Sequence, residues 1–341
     1  MALLLKILWL FLGVIALTII TLIVGSLLSL DWGKRHSQQT EKLPDFDGKR
    51  TGLVLIETPA GKFRARVAGL TNSGPNLVLL HGFPESSVMW QPLIDAAVAQ
   101  GYRVIAFDQR GYSPGVRPTE KADYVIENLI NDLFAVADSV GFAKFHLVAH
   151  DWGSAIGWVA TSQAPERIET YTSLSIPHIQ AFGEAIQNDP EQQKKSSYIG
   201  FFVTPYLPEW VFTWGGMRAM KRLLYVDHPA EEVEEYLNIF SEPGALTAAL
   251  NWYRATALTA QANASEQTLP KVVTPILFIW GNQDPAVSRV GVEAQEAYIG
   301  GPLTTIELDA GHWLIQDKPE TICAAVLSHL KRYSPLSKQE L

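Results

Sequence analysis

Cysteine is nearly absent from this sequence, which carries one, Cys323, among 341 residues. A single thiol excludes a disulfide framework and a cluster of metal-binding thiolates, and the apolar run around Cys323 indicates a core residue. Basic runs are missing from the body of the chain, and the formal net charge is −8. This charge balance argues against nucleic acid as a partner. Repeats and low-complexity tracts are missing too, which leaves one large globular unit with an insertion.

Charge is also missing from residues 7–30, a run of 24 residues in which leucine and isoleucine dominate. A helix of this length crosses a hydrocarbon core of about 30 Å. A cleaved signal peptide, the alternative, has an apolar region of only about 7–15 residues and a small-residue cleavage site. We expect residues 1–35 to form a single-pass membrane anchor and the start of a linker. Lysine and arginine are more frequent just after the run than before it, which favours a cytoplasmic domain.

Strand and helix patterns alternate along the rest of the chain. Apolar, β-branched runs predict strands at 53–57, 63–69, 76–80, 102–107, 144–149, 168–174, 275–280 and 303–308. Apolar residues at helical spacing predict helices at 90–99, 126–140, 154–164, 290–298 and 320–333. This alternation predicts an α/β fold with a mostly parallel sheet, which binds ligands at the carboxyl ends of its strands.

Residues 177–270 interrupt that alternation, because they contain helical runs and many aromatic residues but no convincing strand. We interpret them as a helical cap inserted after the sixth strand, lying over the strand ends. The core domain then consists of two parts, residues 36–176 and 271–341.

The sequence is organised around the motif His-Asp-Trp-Gly at residues 150–153. It follows a buried-strand pattern and is followed at once by a helical run of small residues. A strand that turns sharply into a helix, with the small residues Ala149 and Gly153 on either side of the apex, is typical of a nucleophile elbow. The alternative is that Asp151, the apex residue, caps the helix.

An aspartate at the apex determines which reaction the elbow favours. Attack of a carboxylate on an acyl carbon would give an anhydride. Displacement at a saturated carbon gives an ordinary ester that water can cleave. Asp151 therefore indicates a substrate with a C–O or C–halogen bond at saturated carbon.

Three more motifs follow strand ends. His-Gly-Phe-Pro at residues 81–84 follows the third strand, so the backbone N–H groups of Phe83 and Trp152 are predicted to form an oxyanion hole. Asp284 and His312 follow the last two strands. The chain order Asp151, Asp284, His312 is that of nucleophile, acid and base.

Five other polar residues near these motifs are interpreted as structural. His81 and His150 are predicted to brace loops beside the site, and His178 to line the pocket floor. Asp108 and Arg110 are predicted to form a structural salt bridge or turn.

Taken together, these motifs resemble the α/β-hydrolase fold and, within it, the epoxide hydrolase family. The resemblance covers about residues 53–333 and rests on six motifs: His81-Gly-Phe-Pro-Glu85, Asp108-Gln-Arg-Gly-Tyr112, His150-Asp-Trp-Gly153, Asn251-Trp-Tyr-Arg254, Trp280-Gly-Asn-Gln-Asp284 and Gly311-His-Trp313. It implies a cofactor-free and metal-free hydrolase acting on a small lipophilic epoxide, with no protein partner evident. The related haloalkane dehalogenases share Asp151, Asp284 and His312.

The resemblance also implies a pair of cap phenols that hold the epoxide oxygen and protonate the leaving alkoxide. Tyr253 matches the second of these, and Tyr198 matches the first by its place early in the cap, with Tyr206 as its rival. A halide needs N–H donors instead. The Trp152 indole is one such donor, but Phe83 offers no side-chain donor. We therefore expect an epoxide hydrolase, with a haloalkane dehalogenase and a non-catalytic tethered binding protein as the alternatives.

Overall fold

The computed structural model of the chain describes Phe11, residues 13–25, Leu27, and residues 43–262 and 269–334. Within these residues the strands are β1 Gly52–Thr58, β2 Gly61–Ala68, β3 Asn76–Leu80, β4 Arg103–Phe107, β5 Phe145–His150, β6 Ile168–Leu174, β7 Ile276–Gly281 and β8 Leu303–Leu308. They form one eight-stranded sheet in the order β1-β2-β4-β3-β5-β6-β7-β8. Strand β2 pairs antiparallel with β1 and β4, and all other neighbours are parallel. The predicted mostly parallel sheet is confirmed.

The helices cover the sheet and fill the interval between β6 and β7. They are α1 Gln91–Ala99, α2 Ile126–Ser139, α3 Trp152–Gln163, α4 Ile179–Asn188, α5 Pro190–Lys195, α6 Tyr198–Val203, α7 Leu207–Leu224, α8 Ala230–Ser241, α9 Ala245–Ala262, α10 Arg289–Ala294, α11 Leu314–Asp317 and α12 Pro319–Tyr333. Each helix predicted for the core is present, with bounds that differ by a few residues. In the predicted helix 290–298, only the first part is α-helical, as α10, and the remainder is a 3₁₀ turn at Gln295–Tyr298.

Strand β5 lies in the middle of the sheet, and all six of its residues are buried. A parallel strand covered on both faces is buried along its whole length because neither face meets water. Helix α3 packs tightly beside it: a Cβ atom added to Gly157 would lie 2.6 Å from the Tyr171 ring of β6. The small residues that follow the elbow motif therefore allow α3 to approach the sheet.

Helices α4 to α9 lie between β6 and β7, and no strand occurs among the residues described in that interval. They contact the loops at the carboxyl ends of β3 and β4. The Tyr225 hydroxyl donates a hydrogen bond to the carbonyl of Pro84, and the Trp252 indole donates one to the carbonyl of Arg110 at 2.9 Å. These helices occupy the place predicted for the cap, whereas the domain boundaries proposed from the sequence stay a prediction.

Asp108 and Arg110 form structural ion pairs, as predicted. Arg110 binds both carboxylate oxygens of Asp132, at 2.7 and 2.8 Å. Asp108 is fully buried against Arg64. Cys323 is a buried free thiol, which confirms its assignment to the core.

The predicted membrane anchor, residues 7–30, lies partly outside the described residues. Residues 13–25 are helical. Within the part of the chain that the structure covers, no helix is both long enough and apolar enough to cross a membrane.

Candidate active site

Asp151 lies between the end of β5 and the start of α3, with φ 50° and ψ −119°. A residue other than glycine keeps a positive φ only where its surroundings hold it there. Two glycines provide this tight environment. A Cβ atom on Gly153 would lie 2.4 Å from the carbonyl oxygen of Leu80, and one on Gly82 would lie 2.4 Å from Oδ1 of Asp151. The loop after β3 is therefore pressed directly against the elbow.

The Asp151 carboxylate faces that loop and not the helix it precedes. Its Oδ1 accepts a hydrogen bond from the backbone N–H of Phe83 at 2.8 Å. It accepts none from the first turn of α3, which lies wholly within the described residues. The Asp151 side chain thus does not cap the helix, and it contacts the backbone N–H of Phe83, one of the two N–H groups predicted for the oxyanion hole. The other, that of Trp152, is the first amide of α3, a position that has no partner within the helix.

His312 lies between two carboxylates, those of Asp284 and Asp151. Its Nδ1 is 2.7 Å from Oδ2 of Asp284, and its Nε2 is 3.6 Å from Oδ2 of Asp151. The first contact is a hydrogen bond and the second an ion-pair distance. The other oxygen of Asp284 accepts backbone hydrogen bonds from Ala286 at 2.7 Å and Val287 at 3.1 Å. The structure therefore brings the three residues together and fixes the orientation of Asp284.

The loops that carry Asp284 and His312 meet at Gly281, the last residue of β7. A Cβ atom there would lie 2.2 Å from the carbonyl oxygen of Gly311. Only glycine permits this approach, which brings the imidazole within reach of the Asp284 carboxylate.

The pKa values of Asp151 and His312 are shifted in opposite directions. Burial by itself lowers the pKa of His312, but the charge of Asp284 and the contacts with both carboxylates raise it well above its usual value. Burial by itself raises the pKa of Asp151, but its contact with His312 lowers it below its usual value. These shifts favour a carboxylate at Asp151 and an imidazolium at His312.

Tyr253 and Tyr198 lie together in the cap, with ring centroids 6.4 Å apart and planes at 80°. The Tyr253 ring also contacts the Phe83 ring at 5.4 Å and the Trp152 ring at 5.0 Å, so it lies over the elbow. Tyr206 is 85% exposed and takes no part in this cluster. Of the two tyrosines that sequence reasoning left open, the structure places Tyr198 at the site.

Both cap phenols have raised pKa values. For Tyr198 the causes are burial and then the negative charges of Asp151 and Asp284, and for Tyr253 they are burial, Tyr198 and Asp151. Both hydroxyls therefore stay protonated at neutral pH. Two hydrogen-bond donors in the cap lie within the electrostatic influence of the carboxylate below them.

Sequence reasoning missed a second carboxylate behind the base. Glu85 is fully buried, and its Oε2 is 2.7 Å from Nδ1 of His150. Nε2 of the same ring is 3.0 Å from the backbone carbonyl of His312. His150 does brace a loop, as predicted, and that loop carries His312. Glu85 belongs to the motif that starts at His81, but the motif does not tell which way its side chain points.

The network continues from Glu85 into the cap. The amide nitrogen of Gln316 donates hydrogen bonds to Glu85 at 2.8 Å and to Glu232 of α8 at 3.0 Å. Glu232 also accepts one from the Tyr236 hydroxyl at 2.9 Å. No sequence signal could have found this connection, because its members are spread over more than two hundred residues. Within the described residues, no group of three or more His, Cys, Asp or Glu side chains could hold a metal ion.

His81 and His178 both lie in buried positions. Nε2 of His81 accepts a hydrogen bond from the backbone N–H of Gln109 at 3.0 Å, which braces that loop as predicted. The His178 ring stacks on Tyr298, with centroids 4.9 Å apart and planes at 5°.

Known proteins with related sequences and structures were compared with this chain. A family profile described as alpha/beta hydrolase fold matches residues 75–319. The human protein named epoxide hydrolase 4 is 32% identical over 292 residues, which cover 82% of this chain and 78% of the human protein. A Bacillus subtilis protein named as a member of the AB hydrolase superfamily is 35% identical over 286 residues, which cover 82% of this chain and 95% of that protein. A solved structure described as a novel epoxide hydrolase from metagenomes of hot environments has a TM-score of 0.73 and 30% identity. It covers 83% of this chain and 99% of its own.

Glu85→Gln tests the buried network through its effect on acid stability. Burial by itself raises the pKa of Glu85, but His150 lowers it below the ordinary value of 4.5. A carboxylate with a lowered folded-state pKa stabilises the fold above its unfolded-state pKa, and this stabilisation is lost as the pH falls through the folded-state value. We expect the variant to lose roughly 3–5 kcal/mol at pH 7, and this deficit to shrink as the pH falls below 4.5.

The measurement is the free energy of unfolding in urea as a function of pH, followed by circular dichroism. Glu166→Gln replaces an exposed glutamate and should reproduce the wild-type curve. A Glu85→Gln deficit that stays constant down to low pH would mean that Glu85 is not ionised in the folded protein.

Proposed function

The chain belongs to the α/β-hydrolase fold family and, within it, to the epoxide hydrolases, and on this basis we propose that it opens small lipophilic epoxides through a covalent ester on Asp151. One observation carries the proposal: the cap phenols Tyr198 and Tyr253 face the elbow, and the charge of Asp151 raises the pKa of both. A protonated donor pair opposite a buried carboxylate suits the opening of a strained ether. The reaction needs an anionic nucleophile at the ring carbon and a proton donor at the leaving oxygen.

In the first step, Tyr198 and Tyr253 donate hydrogen bonds to the epoxide oxygen while Asp151 attacks a ring carbon. The C–O bond of the ring breaks, the alkoxide takes a proton from one of the two phenols, and a hydroxyalkyl ester forms on Asp151. The backbone N–H of Phe83, 2.8 Å from Oδ1 of Asp151, orients the carboxylate for this attack. No base is required in this step.

The second step uses His312. Formation of the ester removes the negative charge of Asp151, which is one of the groups that raise the His312 pKa. The pKa of His312 therefore falls when the ester forms, and its proton can pass to the phenolate that the first step leaves in the cap. The neutral imidazole can then accept a proton from water. That water attacks the ester carbonyl, the oxyanion is stabilised by the N–H groups of Phe83 and Trp152, and a vicinal diol leaves.

We also propose that residues 7–30 anchor the enzyme in a membrane, with the catalytic domain on the cytoplasmic side. The run has no charged residue. Thr18 and Thr21, the polar side chains among residues 13–25, each donate a hydrogen bond at 2.8 Å to the carbonyl four residues earlier. Their hydroxyls are thus satisfied within the helix, as lipid surroundings require.

His312→Gln should separate the two steps. Ester formation needs no base, whereas ester hydrolysis does, so the variant should accumulate the ester while steady-state turnover falls about 10²–10⁴-fold. Mass spectrometry of the intact protein after incubation with a styrene-oxide-like epoxide should show an increase of one substrate mass. Asp151→Asn, which lacks the nucleophile, should show no adduct. An inactive His312→Gln enzyme without adduct would mean that His312 acts before the ester forms.

Tyr253→Phe should distinguish an epoxide hydrolase from a haloalkane dehalogenase. Loss of one donor to a developing alkoxide lowers the rate by about 10²–10³-fold, whereas a leaving halide requires no proton. We expect that loss for diol formation and little change for any halide release, both measured in one assay with an epoxide and a chloroalkane. Tyr206→Phe, at an exposed position, is the matched control. An enzyme that releases halide readily, ignores epoxides and tolerates Tyr253→Phe would be a dehalogenase.

A further inference from the structure

Exposed large apolar side chains concentrate on one part of the cap. Among residues 43–262 and 269–334, five of the seven such side chains lie between positions 206 and 226: Tyr206, Leu207, Trp210, Leu223 and Val226. We call these five residues the α7 surface, because they lie on α7 or directly beside it. Trp210 is 50% exposed and Val226 is 74% exposed. Clustered exposed apolar residues of this size indicate a contact with a partner or a membrane.

The opposite side of α7 faces the active site. Phe212 is buried and its ring contacts that of Phe202 at 5.9 Å, and Phe202 contacts Tyr253 at 5.1 Å. Met217 and Met220 are buried as well. The exposed residues of α7 are thus distinct from the residues that pack this element against the rest of the cap.

Basic residues accompany the apolar ones. Arg218, Lys221 and Arg222 are exposed, and their spacing places them on one side of the second half of α7. The chain as a whole has a net charge of −8, so an anionic surface would repel most of it. These three basic residues form a local exception. Aromatic and leucine side chains next to lysine and arginine are typical of helices that lie in the interface of an anionic membrane.

The apolar N-terminal helix contacts the same element. Gly25 packs on Trp214, so closely that a Cβ atom would lie 2.0 Å from the indole nitrogen. Trp214 begins the break in α7, where residues 214–217 leave the helical conformation. The segment proposed to anchor the protein therefore meets α7 between its aromatic half and its basic half.

We infer that the α7 surface lies in the interfacial region of a lipid bilayer containing anionic lipids. The aromatic and aliphatic side chains enter the acyl boundary, and Arg218, Lys221 and Arg222 bind the phosphate groups. The inference rests on the proposed membrane anchor and adds a second point of contact, which fixes how the catalytic domain is oriented on the membrane.

Spin labels on the full-length protein test this arrangement. Cysteine is introduced singly at Trp210, Leu223, Val14 or Lys144 in a Cys323→Ala background, so that only the chosen site reacts. Lys144 is the control, because it is exposed immediately before β5 and so lies at the edge of the sheet opposite the cap. Each labelled protein is reconstituted in vesicles of phosphatidylcholine and phosphatidylglycerol. Power saturation then compares collisions with oxygen, which enters the bilayer, and with a water-soluble nickel chelate.

We expect the labels at Trp210 and Leu223 to collide mainly with oxygen and the label at Lys144 mainly with the chelate. If the labels at Trp210 and Leu223 collide with the chelate as much as the Lys144 label does, the inference is overturned, whatever the Val14 label shows. The Val14 label reports on the anchor separately. If Val14 lies in the bilayer while the two α7 labels are aqueous, the anchor proposal stands and the α7 contact is wrong.

The basic cluster is tested by Arg218→Glu, Lys221→Glu and Arg222→Glu in one protein. We expect this change to move the Trp210 and Leu223 labels towards water in vesicles that contain phosphatidylglycerol. An unchanged depth would show that phosphate groups do not bind this cluster, and would overturn the anionic-lipid part of the inference.

Discussion

Asp151 holds a positive φ that a residue other than glycine adopts only under constraint, and the rest of the site is built on that constraint. The elbow stays in place because the backbone of the loop after β3 presses on it, with no room for a Cβ atom at Gly82 or Gly153. The same close approach brings the N–H of Phe83 to 2.8 Å from the carboxylate. The strained turn, the anion-binding amide and the buried nucleophile are therefore one structural feature. A side chain at either glycine would disturb all three together.

The buried charges beneath the cap follow from this arrangement. A buried carboxylate destabilises a fold unless it is paired and hydrogen-bonded, and Asp151, Asp284 and Glu85 are all buried close to two histidines. His312 contacts the first two carboxylates, and His150 contacts the third. Because His150 also contacts the backbone carbonyl of His312, the base is connected to the buried Glu85. Gln316 extends the network to the cap by donating to both Glu85 and Glu232. The cap, which carries the phenols above the nucleophile, is thereby tied to Glu85 and so to the network that supports the loop of the base.

Sequence reasoning identified the strands and the order of Asp151, Asp284 and His312, because strand periodicity and turn residues are local signals. It favoured Tyr198 over its rival Tyr206 only by the place of Tyr198 early in the cap, since it is the packing of α6 and α7 that partly buries Tyr198 and exposes Tyr206. Sequence reasoning could not predict the hydrogen bonds of Gln316 either. They join residues far apart in the chain and depend on side-chain direction. The predicted membrane anchor and its orientation still await an experiment on the membrane itself.

The claim that Asp151 forms a covalent ester is tested most directly by a single turnover in ¹⁸O-labelled water, with enzyme in excess over an epoxide. In the ester route, water attacks the Asp151 carbonyl carbon and breaks its bond to the ester oxygen that is joined to the substrate. The diol therefore keeps an unlabelled oxygen that came from the enzyme. The label then appears in the peptide that contains Asp151, and mass spectrometry should find it there and not in the first-turnover diol. Label in that diol, with an unlabelled Asp151 peptide, would show that water attacks the epoxide itself and would contradict the account.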